Sequence, residues 1–135
     1  MKTWVLDTNV VGSGFLKPRG PSARLLAEFF ARRLRLAYDA RILSEYGDVL
    51  ARPEFDIEHN DYIGFLMFLR TTGEFLAPPA LKIPLPDLDD LPFIEVGLAS
   101  AEKTVVTRNF VHFQPATKLG LRLLLPGEAI RALGP

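Results

Sequence analysis

Several carboxylates in this chain stand where a chemical role is worth testing. Asp7 ends the apolar run Thr3-Trp4-Val5-Leu6 and is followed by Thr8 and Asn9. Aspartate after a strand often starts a turn by bonding its own backbone, so position alone does not make it functional. Three reactions could use it. A phosphoaspartate enzyme usually carries a second acid two residues on, where this chain has Asn9. A nucleotide-binding loop needs a pattern such as G-x-G-x-x-G, and Gly12-Ser13-Gly14 is followed by Lys17 instead. The third use is as a ligand to a hard cation, which favours carboxylate oxygen.

Asp87, Asp89 and Asp90 form the densest acidic cluster, just ahead of Pro92. Proline suits a first helical turn, and a carboxylate there gains ~0.3–1 kcal/mol from the helix dipole. One acid satisfies that role. Three crowd like charge together, which costs energy unless a cation binds. Glu45 is placed by helical geometry. Ile42, Leu43, Tyr46, Val49 and Leu50 make an apolar stripe, and at about 100° per residue Glu45 falls about 40° outside it. Asp48 points further towards solvent. The alternative for Glu45 is an ion pair with Arg41, four residues earlier, worth ~0.3 kcal/mol if exposed. Helix geometry leaves both readings open.

These side chains need elements to hold them. The periodicity predicts strands at Thr3–Leu6, Leu34–Tyr38, Thr104–Thr107 and Leu121–Leu125. It predicts helices capped by Ser22, over about Ala40 to Ala51, Asp61 to Arg70 and Pro92 to Ala101, and after Pro126. Gly12, Gly14, Pro18, Gly20 and Pro21 read as a loop, and the proline-rich stretch from Ala77 to Pro86 as a connector. Such alternation predicts an α/β fold with a parallel sheet covered on both faces. Ligands of such sheets bind beyond the carboxyl ends of the strands. Asp7-Thr8-Asn9 and Thr107-Arg108-Asn109 would share that edge.

The composition is compatible with this. A chain of 135 residues predicts one domain, spanning residues 1–135. Sixteen basic and sixteen acidic residues balance, so no overall field draws it to a polyanion; a bound cation would have to act locally. Without cysteine, thiolate zinc sites and cysteine nucleophiles are excluded. No apolar run approaches the ~20 residues of a membrane span. With a strand-like N-terminus and no signal peptide, the expected location is cytoplasmic.

Four segments together resemble the PIN-domain nucleases, of the kind found as toxins in bacterial and archaeal toxin–antitoxin operons. They are Val5-Leu6-Asp7-Thr8-Asn9-Val10; Ile42-Leu43-Ser44-Glu45-Tyr46; Asp87-Leu88-Asp89-Asp90-Leu91-Pro92-Phe93-Ile94-Glu95; and Val105-Val106-Thr107-Arg108-Asn109 with His112-Phe113. Leu124-Leu125-Pro126 is similar to the family's closing segment. The resemblance implies a three-layer α/β/α domain around a mainly parallel sheet. It implies metal-dependent hydrolysis of RNA phosphodiesters that leaves a 5′-phosphate and a 3′-hydroxyl. The metal ligands would be Asp7, Glu45 and Asp90, with Asp87 and Asp89 as competitors, holding Mg²⁺ or Mn²⁺. Asn9 would orient the first acid, and Thr107 is the hydroxyl near the fourth position. Many members have aspartate where this chain has Asn109; asparagine ahead of a His-Phe pair is a recurrent variant. Asn109 could orient a water but cannot replace a carboxylate's charge.

The partners so implied are RNA, an antitoxin protein and, alternatively, a second copy of the chain, with no membrane. Lys17, Arg19, Arg41 and Arg108 are candidate backbone contacts. Tyr62, Phe65, Met67, Phe68 and Leu69 are read as core, with a partner surface as the alternative. Glu95 would pair with a basic residue or support the acids, and His112 is read as packed or partly exposed rather than a ligand. Two functions compete with the nuclease. One is an altered PIN fold that binds RNA or protein without cutting; the other is a different metal-dependent phosphoesterase.

Overall fold

Runs rich in Val, Leu and aromatic residues pair into a wholly parallel sheet in the computed structural model, which describes residues 1–134. The strands are β1 (Lys2–Leu6), β2 (Leu34–Tyr38), β3 (Glu74–Phe75), β4 (Thr104–Val106) and β5 (Arg122–Leu124), in the order β3-β2-β1-β4-β5. Trp4 is in register with Leu36, Leu6 with Val106 and Val105 with Leu123. Consecutive residues of the central strands, such as Trp4, Val5 and Leu6, are all buried. Continuous burial marks a sheet covered on both faces, where a one-sided sheet would alternate.

The covering helices are α1 (Thr8–Leu16), α2 (Pro21–Phe30), α3 (Ala40–Leu50), α4 (His59–Thr72), α5 (Leu91–Ala99), α6 (Phe110–Phe113) and α7 (Pro126–Leu133). The chain steps outward from β1 to β2 and β3, then returns across the sheet to β4 and β5. Parallel crossovers are right-handed almost without exception, so this reversal puts α1 to α4 on one face and α5 and α6 on the other. The packing agrees: α5 lies across β2, β1 and β4, and α2 packs on β2, α1 and α7. The result is the three-layer α/β/α architecture expected from the sequence.

Three local readings are corrected. Gly12 and Gly14 lie inside α1 rather than in a loop. Helix propensity argues against glycine there by ~1 kcal/mol each, but a Cβ on Gly14 would come within 2.5 Å of Leu26 Cδ1, so its absence lets α1 and α2 close together. Helix α2 begins at Pro21 with Gly20 at its cap, and the Ser22 hydroxyl is buried without a hydrogen-bond partner instead of capping. Strand β3 was not foreseen, since two residues carry no period. On α4, Phe65 and Leu69 are core and Met67 is 63% exposed. Phe65 meets Phe15, Phe29 and Tyr46 edge-on.

Candidate active site

The connections from β1 and β4 run to opposite sides, and this switch in strand order opens a crevice at the carboxyl ends of the two strands, the usual ligand position in an open parallel sheet. Asp7 and Thr107 emerge there side by side. The Asp7 N–H donates to the Val106 carbonyl at 2.9 Å, and the Thr107 N–H to the Leu124 carbonyl at 2.9 Å, so the ladder holds both residues. Asp7 stands at the cap of α1, but its carboxylate turns to Thr107, whose hydroxyl donates to Oδ2 at 2.8 Å. That hydroxyl oxygen accepts the Asn109 N–H at 3.0 Å. The residue that grips Asp7 is thus Thr107, while Asn9, expected in that role, is exposed on the pocket wall.

Helix α3 supplies the second acid. Asp39 caps it, with Oδ1 accepting the Ile42 N–H at 3.0 Å. One turn before the helix end, the buried Tyr46 hydroxyl donates to the carbonyl of Leu6, the residue before Asp7. That bond fixes the helix against the end of β1 and leaves Glu45 facing the crevice. Glu45 Oε2 accepts the Thr8 hydroxyl, and Asp48 is exposed. The ion pair weighed for Glu45 does not form. Arg41 instead bonds Asp39 at 2.7 Å and Glu95 at 2.7 Å.

The third contribution comes from the head of α5. Asp87 Oδ1 accepts the Asp89 N–H at 2.9 Å and so caps the single 3-10 turn Leu88–Asp90. Asp90 turns inward, with its side chain 14% exposed and Oδ2 3.1 Å from His112 Nδ1. Asp7, Thr8, Glu45, Asp87, Asp89, Asp90, Asn109 and His112 line one cavity of about 430 Å³, with Arg52 at its side. Every acid put forward as a metal ligand reaches this cavity. The sequence places Thr8 at this edge without a role, and gives no sign of Arg52 or His112 as parts of the cavity. Their contacts cross 37 residues for Thr8 and 22 for His112, and no local pattern announces such pairs.

The electrostatics follow from crowding. Burial pushes the Asp7 carboxyl above its ordinary value, and the charge of Asp90 adds to this against the Thr107 donor. Burial likewise raises Glu45, helped by Asp7 and Asp89, and it raises Asp90, helped by Asp87 and Glu45. Arg52 relieves Glu45 and His112 relieves Asp90, each only in part. Carboxylates raised by burial, and further by their neighbours, lack positive charge, and a divalent cation would supply it. The donor set, oxygen-rich with one imidazole, fits such an ion.

The chain has no match among curated protein sequences. Residues 3–111 match the PIN domain, a stretch that takes in Asp7, Glu45, Asp90 and Asn109 and stops one residue short of His112. PIN domains are generally metal-dependent nucleases. With most of its length inside that match, and with the parallel three-layer sheet placing the matched acids around one crevice, the chain belongs to the PIN-domain family.

Proposed function

We propose that the protein is a metal-dependent endoribonuclease that hydrolyses RNA phosphodiester bonds and serves as the toxin of a toxin–antitoxin pair. The observation that carries this reading is the meeting of Asp7, Glu45 and Asp90, from β1, α3 and the head of α5, in one cavity. Those three, with Asp87 at the rim, would hold Mg²⁺ or Mn²⁺. The chemistry such an ion would supply is a lowered pKa for an attacking water and an offset to charge building on the phosphate. Thr107 and Thr8 keep the Asp7 and Glu45 carboxylates aimed into the cavity. Asn109 offers a neutral amide to a water or a phosphate oxygen. Arg52 lies in the cavity, and Lys17 and Arg108 line the adjoining groove that shares Thr8, Asn9, Val49 and Phe55 with it. These cations would take the RNA backbone on either side of the cut. Arg41, held by Asp39 and Glu95, is not free for that task. The toxin role, with an antitoxin or a second copy of the chain as partner, is supported by the resemblance of the acid-bearing segments to toxin-type PIN domains.

Labelled RNA incubated with the purified protein and Mn²⁺, Mg²⁺ or EDTA tests the chemistry. The expected result is cutting that needs the ion and disappears in Asp7→Asn and Asp90→Asn. Binding without cutting under either ion would replace the proposal with a PIN-fold binding module. Turnover confined to small phosphate esters would replace it with a phosphoesterase. For the toxin role, expression in a bacterial host should arrest growth with the wild type and not with Asp7→Asn.

A further inference from the structure

We propose that His112 is itself a ligand in this cavity, completing with Asp87 and Asp90 a cation position beside that of Asp7 and Glu45, and that its imidazole makes the position selective for transition-metal ions over Mg²⁺. The inference rests on reading the cavity as a metal centre, and does not depend on RNA being the substrate. One potential ligand atom from each of these residues lies within 4.8 Å of the other two. Two donors about 2.1 Å from a single ion stand about 3 to about 4.2 Å apart, so small side-chain rotations bring this set to bonding distance. The direction of the imidazole is set by the fold. Helix α6 is a single turn in which Phe113 is fully buried and Val111 is 76% exposed. That rotation leaves His112 Nδ1 beside Asp90, 3.1 Å from Oδ2.

A plain ion pair is the simpler account of His112, and it explains only Asp90. Asp87 belongs to the same close group, and one imidazolium offsets a single charge. The composition of the site also gives the imidazole a purpose. Asn109 offers no negative charge at the edge of the cavity. His112, one turn further on, returns a strong neutral donor to the same edge. Asp90 would then belong to both positions, as the shared carboxylate of a paired-ion site. Mg²⁺ is held by oxygen donors, whereas imidazole suits transition ions.

Mn²⁺ titration of the full chain, followed by electron paramagnetic resonance and electron spin echo, tests this directly. The wild type should bind two Mn²⁺ and show imidazole-nitrogen modulation of the echo. His112→Ala should lose the modulation and weaken one Mn²⁺ site about tenfold or more, while Mg²⁺ affinity by calorimetry stays within about twofold. The chain has two histidines, and the other, His59, bonds Tyr62 on α4; His59→Gln should therefore match the wild type. Mn²⁺ bound by the wild type without nitrogen modulation, or modulation that survives in His112→Ala, overturns the inference and leaves the nuclease reading intact. No Mn²⁺ binding by the wild type overturns both. The echoes of the wild type and of His59→Gln decide the matter between them, so the test does not depend on His112→Ala folding.

Discussion

Thr107 has one hydroxyl proton, and Asp7 receives it. Both residues are almost completely buried, so the donor is hard to replace once it is lost. Thr107→Val keeps the shape but strips the donor from Asp7 and the acceptor from the Asn109 N–H. An unsatisfied buried group costs ~1–3 kcal/mol; urea unfolding should show a loss in that range, with Thr107→Ser recovering most of it. A valine variant as stable as the wild type would refute the role assigned to that hydroxyl. Glu45 and Asp48 provide a second contrast on the same helix, one in the cavity and one in solvent. Glu45→Gln should reduce RNA cleavage by more than the ~10–100-fold typical of changes outside the metal's own ligands. Asp48→Asn should leave the rate nearly unchanged, and equal losses would remove Glu45 from the site. The sequence separated this pair correctly because helical rotation is local. It missed the Thr8 hydroxyl on Glu45, which depends on how α1 and α3 meet.

At the scale of elements, α1 shows how packing overrides propensity. Its two interior glycines look identical in sequence and differ in space. A Cβ on Gly14 would strike Leu26, whereas one on Gly12 would meet nothing within 4 Å. Gly14→Ala should destabilise the protein by ~1–3 kcal/mol through overpacking. Gly12→Ala should stabilise it by ~0.5–1 kcal/mol, the gain in helix propensity. Thermal unfolding of the two variants checks both signs, and a shared sign would contradict the close approach of α1 and α2. A second device ties the acid-bearing elements together. Glu95, on α5 and 3% exposed, accepts from Arg41 on α3 with one oxygen and from the Leu81 N–H with the other at 2.6 Å. It thereby anchors the proline-rich connector that leads to Asp87. The sequence offered Glu95 a basic partner without naming one, because Arg41 lies 54 positions away.

At the scale of the molecule, the crowded acids set a dependence on pH. Asp7, Glu45 and Asp90 have carboxyls raised above ordinary values of 3.8, 4.5 and 3.8. A raised group binds its proton more tightly in the folded chain than in the unfolded one, so folding is favoured most below the ordinary value. That advantage disappears as pH rises through the raised values. In EDTA, this contribution to stability should therefore fall as pH climbs from the ordinary carboxylate range towards neutrality. Glu28 has the opposite sign through Arg33, but this pair lies at the surface, where solvent screens it. Metal ligands must be deprotonated to bind, so the stabilisation given by Mn²⁺ should grow over the same interval. Urea midpoints with and without Mn²⁺ at about pH 5 and about pH 7 measure it; an equal gain at both would sink the claim that these acids hold the ion.

Chain order alone was enough to recover the strands β1, β2, β4 and β5, the helices α3, α4, α5 and α7, and the acids at their ends. Apolar periodicity and helical rotation act over a few residues, and the primary structure contains them completely. The company those acids keep came from folding. Thr107 on Asp7, Thr8 on Glu45, His112 beside Asp90 and Arg41 on Glu95 are contacts between elements far apart along the chain. They exist only because the crossover handedness and the packing of helices on the sheet bring those elements to one edge.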